Sequence, residues 1–224
     1  MRDRVLTLID DGAQLCPGAA APVIGELLNM FSSIVEHRAG TRLHGIPELS
    51  GLLAVEGAIG RIAATFIGKA CKAVRALHFD KTAKGNWSLP WHQDRTIAVA
   101  ERREVDGFGP WTMKAGITHV EPPARLQADM LTLRVHLDPV SEDNAPLLIA
   151  PGSHRLGRLP QEEIPDIVER CGIVTCRAEA GDVWAYATPI LHASAAARQP
   201  VHRRVLEIDY ATTDLPGGLC WLGV

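Results

Sequence analysis

The chain has 224 residues, 46% hydrophobic and 22% charged, with a formal net charge of −3. That length suits one domain with a sizeable core, and the composition is that of an ordinary globular protein. The slight acidity and scattered basic residues exclude a protein that tracks nucleic-acid phosphates.

At the N-terminus, MRDRVLTLID holds too short an apolar run to read as a signal peptide. Residues 21–38 then place Val23, Ile24, Leu27, Leu28, Phe31, Ile34 and Val35 on one stripe of a helix. Pro22 sits near its start, where a missing N–H costs little. A second helical stretch is predicted over 47–67, with a break near 57–60. The most apolar window, 51–70, is interrupted by Glu56 and Arg61, so it is not a membrane span. The five cysteines, Cys16, Cys71, Cys171, Cys176 and Cys220, are odd in number and lack CxxC spacing. This predicts reduced thiols and a cytoplasmic protein, with a Cys171–Cys176 redox pair as the weaker alternative.

After Lys69 short apolar runs alternate with Gly, Pro, Asn and Asp turns, which predicts a β-sandwich or barrel. In the strand predicted over 131–137, Leu131, Leu133, Val135 and Leu137 face one way and Thr132, Arg134 and His136 the other. Further strands are predicted over 147–150, 183–186 and 201–210. In the last, Leu206, Ile208 and Tyr210 oppose Arg203, Val205, Glu207 and Asp209. The polar faces either line a polar interior or meet solvent; alternation alone does not choose.

The segment PWHQD, residues 90–94, adds chemistry. Two histidines and one carboxylate on one face suit a non-haem iron site, and His-x-Asp in a strand points both groups the same way. His92-x-Asp94 has a rival in His136-x-Asp138. The first is preferred, because it sits between Trp91 and the run 96–100, where a strand could carry both groups inward, whereas Asp138 runs into Pro139 and starts a turn. The second histidine could be His119 in a loop, His154 in a Pro-Gly-Ser-His turn, or His192 after the strand opened by Gly181-Asp182. His192 is preferred because Arg203 follows within the last strand, with a planar fork able to hold a carboxylate.

Three stretches, PWHQD, NAPLLIAPGSHRLG and GDVWAYATPILHASAAARQPVHRRVLEIDYA, resemble in order and spacing the phytanoyl-CoA dioxygenase (PhyH-like) family of Fe(II)- and 2-oxoglutarate-dependent oxygenases. The resemblance runs from about residue 74 onward; the N-terminal helices fit but carry no motif. It implies a mainly β fold with α, a double-stranded β-helix (jelly roll, cupin-like) with N-terminal helices packed on one sheet. It also implies one domain over 1–224, mainly helical over 1–70 with a jelly-roll core over 71–224. By the same resemblance His92, Asp94 and His192 hold iron and Arg203 binds the distal carboxylate of 2-oxoglutarate. Arg204 is the adjacent rival, on the outward face. Trp111 lies near the cosubstrate, Ser194 hydrogen-bonds to it and Leu77 packs on it. The plainer alternatives make Trp111 a core aromatic, give Ser194 only a backbone bond, and pair Arg134 with Glu207.

The resemblance implies hydroxylation of an unactivated C–H bond by O2, with 2-oxoglutarate converted to succinate and CO2. Halogenating relatives lack the carboxylate, so Asp94 favours hydroxylation, with desaturation or ring closure open to the same ligands. The substrate is read as a small molecule, with Met113, Lys114, Thr118 and His119 as candidate contacts and no cradle for CoA phosphates. The alternatives are a non-catalytic metal- or ligand-binding jelly roll and a cupin-type iron dioxygenase, which would not need Arg203.

Overall fold

The computed structural model describes residues 5–34 and 40–224. The chain begins with a short helix α1 (Leu8–Asp11) and a strand β1 (Ala13–Cys16), then enters α2 (Ile24–Ile34) through a 3-10 turn at Ala21–Val23. Val23 of the 3-10 turn and Leu27 and Phe31 of α2 form one buried stripe; Val35 and Arg38, at the end of the predicted helix, lie outside the described residues. After β2 (Thr41–Leu43) come α3 (Pro47–Leu53) and α4 (Gly60–Ile67), with the predicted break between them. The break brings two backbones together: a Cβ on Gly60 would lie 1.9 Å from the Ala54 carbonyl oxygen.

The core strands follow as β3 (Lys72–Lys81), β4 (Leu89–His92), β5 (Ile97–Ala98), β6 (Trp111–Lys114) and β7 (Ile117–Val120). A short α5 (Ala124–Ala128) leads to β8 (Leu131–His136) and β9 (Leu147–Ile149), and α6 (Ile164–Cys171) to β10 (Val174–Cys176). Then come β11 (Val183–Ala187), β12 (His192–Ser194) and β13 (Arg203–Ala211). They build an antiparallel six-stranded sheet ordered β1-β11-β8-β13-β3-β2, a four-stranded sheet ordered β10-β9-β12-β4, and a small sheet β5-β7-β6.

The six-stranded sheet is buried on both sides. Its outer face, with Leu131, Leu133, Val135, Leu206, Ile208 and Tyr210, packs with Leu27, Phe31, Leu49, Leu53 and Ile59 from the helices. Each such fully buried side chain contributes about 1.5–3 kcal/mol. Its inner face meets the four-stranded sheet, where Trp184 and Tyr186 pack on Leu147, Ile149 and Cys176. This is the two-sheet jelly roll with helices on one sheet. Thr132, Arg134, His136, Arg203 and Glu207 are all buried on the inner side, so the polar faces line an interior. The cysteines are free.

Three expectations are corrected. The first seventy residues are more than a helical cover, because β1 and β2 form both edges of the six-stranded sheet. His119 lies on β7 rather than in a loop and is fully buried. Asp94 is not on a strand with His92, because β4 ends at His92. The turn is pinned by Gln93, whose Nε2 donates to the carbonyls of Pro189 (2.8 Å) and Gly157 (2.9 Å) while Oε1 accepts from the Leu159 N–H.

Candidate functional site

His92 and His192 are direct register partners on β4 and β12, which sets their rings 4.3 Å apart, centroid to centroid. Asp94 enters from the turn after β4, its backbone carbonyl held by Gln127 of α5. One ligand atom from each of His92, Asp94 and His192 lies within 4.8 Å of the others, and this is the one such cluster among the described residues.

The donors are in the states a cation needs. His92 Nδ1 bonds the Pro90 carbonyl at 2.8 Å and His192 Nδ1 the Ile190 carbonyl at 3.0 Å. Each bond fixes the proton on Nδ1 and leaves the Nε2 lone pair for a metal. Burial, against the pull of Asp94, moves the His192 pKa down and keeps the ring neutral. Burial opposes the charge of Asp94, but Arg75, by its charge and its hydrogen bond, outweighs it and holds the carboxyl well below the usual range. Two imidazoles with Nε2 turned free by their Nδ1 bonds and an ionised carboxylate fit a non-haem iron centre.

Beneath this cluster lies a buried ion network on the inner face of the large sheet. Arg75 of β3 donates to Asp94 Oδ2 at 2.9 Å and to Asp209 Oδ2 at 2.6 Å, and lies 3.8 Å from Glu207 Oε1. Arg134 and the Tyr186 hydroxyl both donate to Glu207 Oε2, at 2.6 and 3.1 Å. Arg134 therefore pairs with Glu207. Sequence reading did not single out Arg75, although alternation along β3 places Arg75, Leu77, Phe79 and Lys81 on one face.

Arg203 is 2% exposed and opposes Lys81 across β13 and β3. Its Nη1 donates to the Ala145 carbonyl and its Nε has no partner. No carboxylate lies within ion-pair distance among the described residues, so the guanidinium is a buried cation without a counter-charge there. Ser194, on the same face of β12 as His192, donates to the same Ala145 carbonyl at 3.2 Å. Leu77 is buried on the inner face, in register with Glu207. These features fit the distal carboxylate and the chain of a small dicarboxylate.

Trp111 is partly buried, and its indole Nε1 has no hydrogen-bond partner among the described residues. It lies on β6, packs with Val74, Ile97 and Phe108, and carries Arg102 5.4 Å from its ring centroid. Met113 is exposed, and Lys114 Nζ donates to the Thr96 hydroxyl at 2.8 Å. The rival pair His136-x-Asp138 is separated by its partners. Asp138 takes a bidentate pair from Arg204, at 2.9 and 2.6 Å, on the outward side. His136 is fully buried and held neutral by burial, then by Arg134 and Arg203.

The model of the phytanoyl-CoA dioxygenase (PhyH) family matches residues 31–205. No curated protein matches the sequence. Among solved structures, HygX from Streptomyces hygroscopicus, with nickel, 2-oxoglutarate and hygromycin B bound, is similar at TM-score 0.63 and 14% identity, over 95% of this chain and 88% of that one. The apo form of EctD from S. alaskensis aligns at TM-score 0.65 and 18% identity, over 100% and 83%. SnoN, an alpha-ketoglutarate-dependent epimerase of nogalamycin biosynthesis, aligns at TM-score 0.61 and 18% identity, over 94% and 87%. At these identities the likeness concerns the fold.

Proposed function

The chain belongs to the phytanoyl-CoA dioxygenase (PhyH) family of iron- and 2-oxoglutarate-dependent oxygenases, and from that premise we propose that it hydroxylates an unactivated C–H bond of a small molecule. The observation that carries the reading is the convergence of one ligand atom each from His92, His192 and Asp94, together with a buried Arg203 that has no carboxylate partner among the described residues. Iron(II), 2-oxoglutarate and O2 together supply decarboxylation to succinate and CO2 and the oxidant for the C–H bond. The protein supplies position and dryness. The Pro90 and Ile190 carbonyls hold the imidazoles, and Arg75 holds one oxygen of Asp94 so that the other is left for the metal. Arg203 and Ser194 receive the distal carboxylate, and Leu77 walls the space between. Asp94 supports hydroxylation over halogenation, since its carboxylate fills the position a halide would need. Epimerisation, the activity of SnoN, is one further outcome these ligands permit, beside desaturation and ring closure.

The whole of 1–224 serves as one catalytic domain, and its free thiols support a reducing, cytoplasmic setting. Among the described residues no helix is long and apolar enough to cross a membrane. Adding Fe(II) and then 2-oxoglutarate to metal-free protein under anaerobic conditions tests the reading. The expected result is a metal-to-ligand charge-transfer band that neither addition gives alone, lost in His92→Ala and kept in His136→Ala. Bound iron without the band would favour a cupin-type or binding-only protein.

A further inference from the structure

Lys81 is 1% exposed. Its Nζ donates to the Ser194 hydroxyl at 3.0 Å and the Ala195 carbonyl at 2.9 Å, and lies 5.1 Å from the Trp87 ring centroid. None of these partners carries a charge. The charged groups acting on it are Arg203, its register partner on β13, and Arg134 of β8, both cations. The nearby acid, Glu207, is already engaged by Arg134 and Tyr186. Lys81 and Arg203 are thus two buried like charges with no carboxylate within 4 Å among the described residues, joined through Ser194 and the Ala145 carbonyl. An uncompensated buried charge is costly, and two side by side more so. A methionine at position 81 would fill the space without that cost, so the ammonium calls for an anion that arrives from outside.

We propose that Lys81 is a second cationic determinant of the cosubstrate pocket: with Arg203 and Ser194 it clamps the distal carboxylate, so that the pocket selects 2-oxo dicarboxylates over 2-oxo monocarboxylates. The inference rests on the assignment of Arg203 above. The two cations approach from opposed positions on adjacent strands, while Ser194 approaches from the facing sheet. A carboxylate between them gains charge-assisted bonds at both oxygens. A monocarboxylate such as 2-oxobutyrate leaves both cations unpaired.

The test is an anaerobic titration of the Fe(II)-loaded full chain with 2-oxoglutarate and with 2-oxobutyrate, followed by the charge-transfer absorbance. Lys81→Gln removes the charge and keeps a donor; Lys81→Arg keeps the charge. In Lys81→Gln, 2-oxoglutarate affinity should fall by roughly tenfold or more, the worth of a charge-assisted bond, while 2-oxobutyrate affinity changes less than about twofold. Lys81→Arg should recover most of the loss. Thermal unfolding of the ligand-free protein is a second readout: loss of an uncompensated cation should leave Lys81→Gln as stable as the wild type, or more so. Unchanged 2-oxoglutarate affinity in Lys81→Gln, an equal loss for both acids, or a marked loss of ligand-free stability overturns the role of Lys81 and leaves the function standing. A wild-type protein that loads iron but binds no 2-oxoglutarate overturns both.

Discussion

Replacing Arg75 with methionine removes the one cation that contacts Asp94, Asp209 and Glu207 together. Its side chain is 11% exposed, and deleting one partner of a buried ion pair costs about 3–5 kcal/mol because the other charge stays buried. The loss should depend on pH. In the wild type, burial raises the Asp209 pKa and Arg75 partly offsets it, leaving it at about 6 against an ordinary 3.8. The folded chain therefore holds a proton that the unfolded chain releases, and stability falls as pH rises through that window, by about 3 kcal/mol. Without Arg75 the Asp209 value climbs further and the window extends upward. Asp94, no longer held down, also loses the stability that its ionised form contributes above the ordinary carboxylate range. The deficit of Arg75→Met relative to the wild type should reach about 3–5 kcal/mol at pH 8. At pH 5, where Asp209 is protonated in both, it should shrink by at least about 1 kcal/mol. Urea unfolding of the metal-free proteins at the two pH values measures this. An equal deficit at both, or one below about 1 kcal/mol at pH 8, would refute Arg75 as the counter-charge of this network.

Cosubstrate affinity should carry its own pH signature. Burial, then Arg203 and Arg134, lowers Lys81 to about 7 in the free protein, and an incoming carboxylate raises it. Of the other facing groups, Ser194 from β12 does not titrate, His136 is already neutral, and burial, then Arg134, lowers Arg203 only to about 9, so between pH 6 and 8 Lys81 is the group that changes charge. Affinity for 2-oxoglutarate should be flat below pH 7 and fall above it, by up to about tenfold per pH unit. A flat titration series from pH 6 to 9 would remove Lys81 from that linkage. Gln93→Ala should cost about 3 kcal/mol in chemical unfolding, from three buried hydrogen bonds at about 1 kcal/mol each. Gly60→Ala should lower stability by roughly 1–3 kcal/mol, since its Cβ meets the Ala54 carbonyl. Gly25→Ala, on the exposed side of α2 with nothing near its Cβ, should instead stabilise by about 0.5–1 kcal/mol. Thermal melts of the two glycine variants should move in opposite directions.

The long elements are legible because their periods are long enough to register. The stripe of α2, the alternation of β8 and the two faces of β13 follow from spacing, and the inward polar face of β13 carries both Arg203 and Glu207. What is not legible depends on distant partners. β1 and β2 are AQLC and TRL, too short for any period. They become strands only because β11 and β3 offer unpaired edges. Asp94 leaves its strand because Gln93 bonds groups at Gly157, Leu159 and Pro189, all far away in the sequence. Arg75 and Lys81 sit in plain alternation on β3, but a charge in a strand reads as solvent-facing until its neighbours are known.

The order of the large sheet bears on how the chain is made. β13 lies between β8 and β3, yet it is synthesised after both. A nascent chain that has reached the end of β12 holds two half-sheets, β1-β11-β8 and β3-β2, each with an open inner edge. Only when residues 203–211 emerge can the halves join, through the longest ladder in the molecule. Non-local closure of this kind is slow and leaves edges exposed while it waits. Arg203 arrives on that same strand, so the proposed cosubstrate anchor and the completed sheet come into being in one step.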